Sequence, residues 1–352
     1  MDFFDVVIIG AGPAGLKCAE VLGPSNLKIL VLEKNSEIGP KVCAGGLTRK
    51  DLEYLELPLD LVDFKDQKIK LHFKKISSFL RDQKDFIYTV DRRNLGQWQF
   101  SQLKNFSNIK VQTKAPVSKI EKNFIIVEGK KIGYKFLVGA DGSVFLVRKY
   151  LGLTSRQTGL AIQYLLPSSK FKELEVFFEP QLFSAWYAWI FPHKNYVSIG
   201  CGGNPVFFPV AKMVNNFKIW LKKNKIDVSS AKYEAFVLNS DYQGHQFKNI
   251  FLIGDAAGLV SPLTGEGIYS ALVSGAEVAK IILSPNYKSK KIKSLIKKKQ
   301  RHQQLMSFLI KSGRAKSIIF CLGIFLIKVP YFKKRAIKFI FSLAIFFILY
   351  YS

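Results

Sequence analysis

The chain of 352 residues carries a net charge of +27, with 48% hydrophobic and 14% aromatic residues. That apolar content excludes disorder, which requires low hydrophobicity as well as high charge, and the length suits two domains or one large domain with an appendage. The cations are concentrated late, because the last acid is Glu277 and the stretch from Val278 to Ser352 holds 17 Lys and Arg without an acid. Four separated cysteines, Cys18, Cys43, Cys201 and Cys321, contain no C-x-x-C pair and fit a reduced compartment. The histidines, His72, His193, His245 and His302, lie far apart, so no metal site is expected. Met1 to Asp5 carries two acids before a short apolar run, which does not fit a signal peptide, and a cytoplasmic location is expected.

Phe4 to Ile9 is a short β-branched run of the kind that forms a buried parallel strand. It runs into Gly10-Ala11-Gly12-Pro13-Ala14-Gly15, and Leu16 to Leu22 then reads as a helix. In such a loop Gly10 makes the turn, Gly12 lets backbone approach a pyrophosphate, and Gly15 lets helix pack on strand. Phosphate then sits at a helix N-terminus, where free N–H groups and the dipole favour anions. A second strand, Lys28 to Leu32, ends at Glu33 and Lys34, and an acid 18 residues after Gly15 suits a ribose diol. The motif implies a dinucleotide but does not separate FAD from NAD.

Two later strands end in the same way. Tyr134 to Val138 meets Gly139-Ala140-Asp141-Gly142, and Ile250 to Ile253 meets Gly254-Asp255-Ala256-Ala257-Gly258. The second continues through Pro262, Gly265, Gly267 and Ile268 into a helix predicted over Tyr269 to Leu283. Asp255 at a strand end suits cofactor hydroxyls, and the helix start puts a positive dipole near a ring that becomes anionic when reduced.

On these residues the chain resembles the FAD-dependent oxidoreductases of the hydroxylase-like fold, and within them the geranylgeranyl reductase family. The three strand-end motifs match that fold's FAD motifs. Two others are narrower: Lys41-Val42-Cys43-Ala44-Gly45-Gly46 matches the Cys-x-Gly-Gly loop beside the flavin, and Tyr187-Ala188-Trp189-Ile190-Phe191-Pro192 matches the Tyr-x-Trp-x-Phe-Pro strand of the substrate cavity. The likeness covers about residues 4 to 285. Arg92 keeps the family's helix-opening arginine, but Leu95-Gly96 stands where the family has Phe-Asp.

The resemblance implies an α/β fold: a Rossmann-like FAD-binding domain of residues 1–50, 91–150 and 249–285, and an interleaved substrate domain of 51–90 and 151–248. The substrate domain is expected to be an antiparallel sheet of strands near Leu160 to Leu166, Leu174 to Phe178, Trp186 to Phe191 and Tyr196 to Cys201, with an amphipathic helix over Val210 to Asn224. The implied reaction is reduction of isoprenoid carbon–carbon double bonds. Tyr187, Trp189 and Phe191 would share one strand face and line a dry slot, with Trp186 pointing the other way. Cys43, Tyr187, Trp189 and Phe191 are the candidate catalytic residues. Cys43 suits either a flavin-side thiol or a small buried hydrophobe.

Residues 286–352 read as a basic, apolar helical tail. Its apolar runs, Ser317 to Ile327 and Phe339 to Tyr351, fall short of the roughly 18 to 20 residues that cross a bilayer. Lysines beside aliphatic residues suit a helix lying on an anionic leaflet, so the expectation is a peripheral protein on the inner face of the membrane, with burial in the substrate domain and insertion into the bilayer as the alternatives. Nucleic acid is not expected, since the cations accompany aliphatic runs. The electron donor, whether NAD(P)H, ferredoxin or a quinol, is left open. The rival functions are a flavin monooxygenase of a lipophilic substrate and a non-catalytic protein that binds FAD and a prenyl lipid.

Overall fold

The computed structural model describes residues 1–167 and 170–326. Its first sheet is built around Asp2–Ile9, which pairs in parallel with Lys130–Gly139 on one side and Ile29–Leu32 on the other. Ile109–Gln112 extends one edge and Ile250–Leu252 the other, both in parallel. Val6, Val7 and Ile8 are fully buried, as strands covered on both faces must be. The helices Pro13–Leu22 and Ile268–Leu283 cover one face and touch closely, because a Cβ on Gly275 would stand 2.3 Å from the Ala14 carbonyl oxygen. The chain leaves Asp2–Ile9 for neighbours on either side, and ligands of open α/β sheets bind at the carboxyl ends of strands at such a switch point.

The second sheet runs in the order Lys232–Asn239, Thr158–Leu166, Val197–Gly203, Ala188–Pro192, Glu175–Phe178, Lys68–Phe73, Ile76–Arg81. It is antiparallel as expected, save that Glu175–Phe178 pairs with Lys68–Phe73 in parallel. Segments 51–90 and 151–248 therefore share one sheet. Val210–Lys223 packs behind it through Phe217, Trp220 and Leu221. A three-stranded sheet of Gly46–Thr48, Ile87–Thr89 and Phe64–Asp66 lies next to the Cys43 loop.

The tail, as far as it is described, is built into this body. The helix Lys290–Lys311 buries Ile292, His302, Leu305, Met306 and Leu309 on one face. Ile292 joins the core of the first sheet, while Leu305, Met306 and Leu309 pack with Trp186 and Leu263. The helix Lys316–Leu326 sets Phe320 against Phe178, ring centroids 5.0 Å apart, and leaves Ile318, Leu322 and Phe325 exposed. The boundary drawn at residue 286 thus marks a change of composition, and packing continues across it. The run Phe339 to Tyr351 lies outside the described residues. No described helix is long and apolar enough to cross a membrane.

His302 ties the tail to the body through a 2.7 Å hydrogen bond between its Nδ1 and Ser261 Oγ. Burial, then Lys298 and Lys299, pushes the ring's pKa down to about 4. A neutral folded ring faces an unfolded ring that gains its proton near 6.5, so its contribution is complete above about pH 6.5 and is lost as pH falls toward 4. Relative to His302→Asn, the native chain should lose roughly 2 kcal/mol of its stability advantage between pH 7.5 and 5, read from urea unfolding. An advantage that stays constant over that range would show that the ring is charged or exposed in the fold.

Candidate active site

The three glycines of the first loop have separable roles in the geometry. Gly10 sits at φ +108°, and a Cβ there would stand 2.3 Å from the Ala140 carbonyl oxygen; one on Gly15 would stand 2.0 Å from the Gly10 oxygen. Gly12, by contrast, has no atom within 4 Å of where its Cβ would be. It also caps the helix Pro13–Leu22 without a side-chain hydrogen bond. Two glycines are therefore demanded by the fold, and the third opens toward free space at a helix N-terminus, which suits a pyrophosphate. Glu33 is held at the strand end by the N–H groups of Ala11 and Asn35, each at 3.0 Å. Lys34 beside it is exposed.

At the other strand ends, Asp141 Oδ2 accepts from the Val147 N–H at 3.1 Å, while its Oδ1 is buried with no partner. Burial raises its pKa. Gly254 takes φ +57° and donates its N–H to Ser274 Oγ at 2.9 Å. Asp255 Oδ2 meets Lys41 Nζ at 2.9 Å, joining the third motif to the Cys43 loop. Pro262 is buried, Gly265 stands at φ +67°, and Gly267 caps the helix that begins at Ile268. An open cradle at Gly12, an oriented acid at Glu33 and an unpartnered buried oxygen on Asp141 fit a dinucleotide such as FAD.

The Cys43 loop is clamped by groups that pattern alone did not reveal. His193 holds Asp63 Oδ2 with Nδ1 at 2.8 Å and the Ala44 carbonyl with Nε2 at 3.0 Å. Tyr196, stacked on that ring, donates to Asp91, whose other oxygen caps the helix Arg92–Gln102. Cys43 Sγ accepts from the Gly45 N–H at 3.4 Å. Gly45 stands at φ +73° against His193, and Gly46 leaves room for the Phe191 ring. Arg92 is nearly buried, and its Nε has no partner. The departure at Leu95-Gly96 also has a physical reason: Leu95 enters the core, and a Cβ on Gly96 would stand 2.3 Å from Gly39 Cα.

These loops open into a cavity of about 350 Å³. Its lining runs from Pro13, Lys41, Cys43, Arg92, Asp255 and Gly265 to the aromatic wall of Tyr187, Trp189 and Phe191. Tyr187 and Trp189 meet edge to face at 6.2 Å, and the Tyr187 hydroxyl donates to the Thr264 carbonyl. Burial pushes that hydroxyl's pKa far up, so it stays protonated. Trp186 corrects the expectation from alternation. The strand starts at Ala188, so Trp186 precedes the pleat and also lines the cavity. Strand Val197–Gly203 makes room for the indoles: a Cβ on Gly200 or Gly202 would stand 2.2 Å from the Trp189 or Trp186 ring. That glycine alternation opposite the tryptophans is a signal the sequence carried and the motif reading passed over.

Three further groups enter the site from outside the motifs. Asp51 lines the cavity, and burial first, with Glu266 second, raises its carboxyl well above the usual carboxylate range. Gln163 reaches the cavity from Thr158–Leu166, two strands away from Ala188–Pro192. Phe320 and Ile324 of the tail close the apolar end.

The Thi4 family matches residues 2–54, which hold the glycine loop, Glu33 and the Cys43 loop. A digeranylgeranylglycerophospholipid reductase of Methanococcus vannielii is 26% identical over 322 residues, covering 81% of this chain and 79% of that one. Among solved structures, a geranylgeranyl bacteriochlorophyll reductase-like protein from Thermoplasma acidophilum superposes with a TM-score of 0.79 at 20% identity, covering 94% of this chain and 92% of that one. The p-nitrophenol 4-monooxygenase of Pseudomonas putida shares the fold with a TM-score of 0.73 at 14% identity over 98% and 99% of the two chains. The fold alone therefore serves reductases and monooxygenases alike. Taken with the sequence likeness and the Cys43 and Tyr187 to Pro192 motifs, it makes this chain a geranylgeranyl reductase-like oxidoreductase.

Proposed function

We propose that this protein, holding FAD, reduces isolated carbon–carbon double bonds in the chain of an isoprenoid lipid at the surface of a membrane. The observation that carries the reading is the continuity of one apolar cavity from the glycine-loop end to the aromatic wall. An isolated alkene has no polar handle, so rate depends on holding an apolar chain in near-attack geometry without water. Tyr187, Trp189 and Phe191 supply flat faces for that chain, and such faces tolerate positive charge developing on a substituted carbon.

FAD, when bound, supplies the hydride. The chain's own groups hold and surround it: Gly12 and the helix behind it would take the pyrophosphate, Glu33 the ribose diol, and Arg92, Lys41 and Asp255 the neighbouring polar atoms. The start of the helix Ile268–Leu283 aims its positive end at the site. Cys43 lines the same cavity as these groups and the aromatic wall. The proteins that share the fold include a monooxygenase, but the Methanococcus vannielii relative is by name a lipid reductase, and this slot suits a chain better than a small phenol.

The membrane part of the reading rests on the helix Lys316–Leu326. Its inner residues, Phe320 and Ile324, wall the cavity, while Ile318, Leu322 and Phe325 face outward beside Lys311, Arg314 and Lys316. An apolar face flanked by cations suits the boundary of an anionic leaflet, here the cytoplasmic one, and a lipid chain would then have a short path to the slot.

Two outcomes test these claims. Protein reduced by dithionite without oxygen should add two hydrogens per double bond to a prenyl lipid, seen as steps of about two mass units, and Trp189→Ala should lower kcat/KM by roughly a hundredfold while FAD affinity is unchanged. A product carrying added oxygen, formed only in air, would make the protein a monooxygenase; no product under either atmosphere would leave a binding protein. Ile318→Ser, Leu322→Ser and Phe325→Ser combined should release the protein from anionic vesicles in flotation, each buried apolar side chain being worth about 1.5 to 3 kcal/mol. Unchanged flotation would remove this helix from the attachment.

A further inference from the structure

Trp189, Ser198, Gln163 and the Cys43 carbonyl form a directed hydrogen-bond chain along the cavity wall. The Trp189 Nε1–H donates to Ser198 Oγ at 2.9 Å, and the Ser198 hydroxyl donates to Gln163 Oε1 at 3.0 Å. Gln163 Nε2 then donates to the Cys43 carbonyl at 3.3 Å and to Glu234 Oε2 at 3.0 Å. Gln163 is 2% exposed and Ser198 fully buried.

The direction of the chain follows from its chemistry. An indole nitrogen only donates, so Ser198 accepts there and has its own proton to give to Gln163. The amide has one workable orientation, since a flip would set its oxygen against both the Cys43 carbonyl and the Glu234 carboxylate. Three strands and one loop meet in the chain: Ala188–Pro192 carries Trp189, Val197–Gly203 carries Ser198, Thr158–Leu166 carries Gln163, and the loop carries Cys43. Buried bonds of this kind strengthen one another, and breaking one leaves polar groups without water.

We propose that Gln163 is a positioning residue that, through Ser198, couples the orientation of the Trp189 ring to the placement of the Cys43 loop, so that the aromatic slot and the thiol beside the flavin site move as one unit. The inference builds on the reductase reading only for its purpose. The coupling itself is a property of the protein without flavin or lipid.

It is tested by the rate at which Cys43 reacts with an aromatic disulfide reagent in a Cys321→Ser background, where Cys18 and Cys201 are buried. Gln163→Leu should speed labelling by about fivefold to tenfold, because the loop loses its only hydrogen bond from Gln163. Ser198→Ala leaves the Gln163–Cys43 bond in place and cuts the link to Trp189. It should speed labelling severalfold, as should Trp189→Phe, and the Gln163→Leu/Ser198→Ala pair should be no faster than Gln163→Leu alone. Native labelling rates in both Ser198→Ala and Trp189→Phe, with Gln163→Leu fast, would reduce Gln163 to a local anchor and overturn the coupling; a native rate in Gln163→Leu would overturn it outright. Melting curves of each variant separate loosening of the loop from general unfolding. Because no turnover is read, failure here leaves the reductase reading standing, and the failure of that reading leaves the coupling testable.

Discussion

Everything in this molecule depends on how closely backbone approaches backbone at the carboxyl ends of the parallel strands. Gly10 lies against Ala140, Gly15 against Gly10, and Gly275 against Ala14, at separations that no side chain permits. Those contacts bring the first strand, its helix and the helix Ile268–Leu283 into one tight knot. Gly12, in the same loop, faces open space at the helix end that attracts anions. Close packing therefore stops at Gly12, where the proposed cofactor's pyrophosphate would lie.

Next to that knot, one cavity wall carries both aromatic rings and hydrogen-bonded polar groups. The cavity presents aromatic rings with glycines opposite the indoles to make room, and the hydrogen bonds that fix the Trp189 ring pass through buried Ser198 to Gln163, which lines the cavity itself. Gln163 is paired on the wall, with Ser198, the Cys43 carbonyl and Glu234, so it is not left as an unsatisfied buried amide. The Cys43 loop is held by hydrogen bonds from both His193 and Gln163. The tail closes the slot with Phe320 and Ile324, so the segment that suggests a membrane also forms the far wall.

What the amino-acid sequence revealed was whatever is encoded locally. Strand, glycine loop, helix and acid occur in one stretch, and the run from Asp2 to Glu33 is what the pattern implied. The aromatic strand was legible by residue type, yet Trp186 was misdirected, since alternation holds only inside a strand and this strand begins two residues later. Gln163, Ser198, His193 and Asp63 were not visible, because each acts on a residue far away in the chain and their meeting depends on strand register and sheet order. Gly96 looked like a lost motif until the Gly39 loop lay against it. The tail was read from composition alone, and composition does not say which face of Lys316–Leu326 meets the sheet.

The proposed reduction of an alkene held in the aromatic slot, for which bound FAD would supply the hydride, can be followed in a single anaerobic turnover. Protein loaded with FAD, reduced and freed of excess reductant is mixed with a prenyl lipid while flavin absorbance is followed. Oxidised flavin should return without oxygen, one equivalent for each double bond lost, and Trp189→Ala should slow the return while the flavin stays bound. Flavin that remains reduced until air is admitted would contradict the proposed reduction.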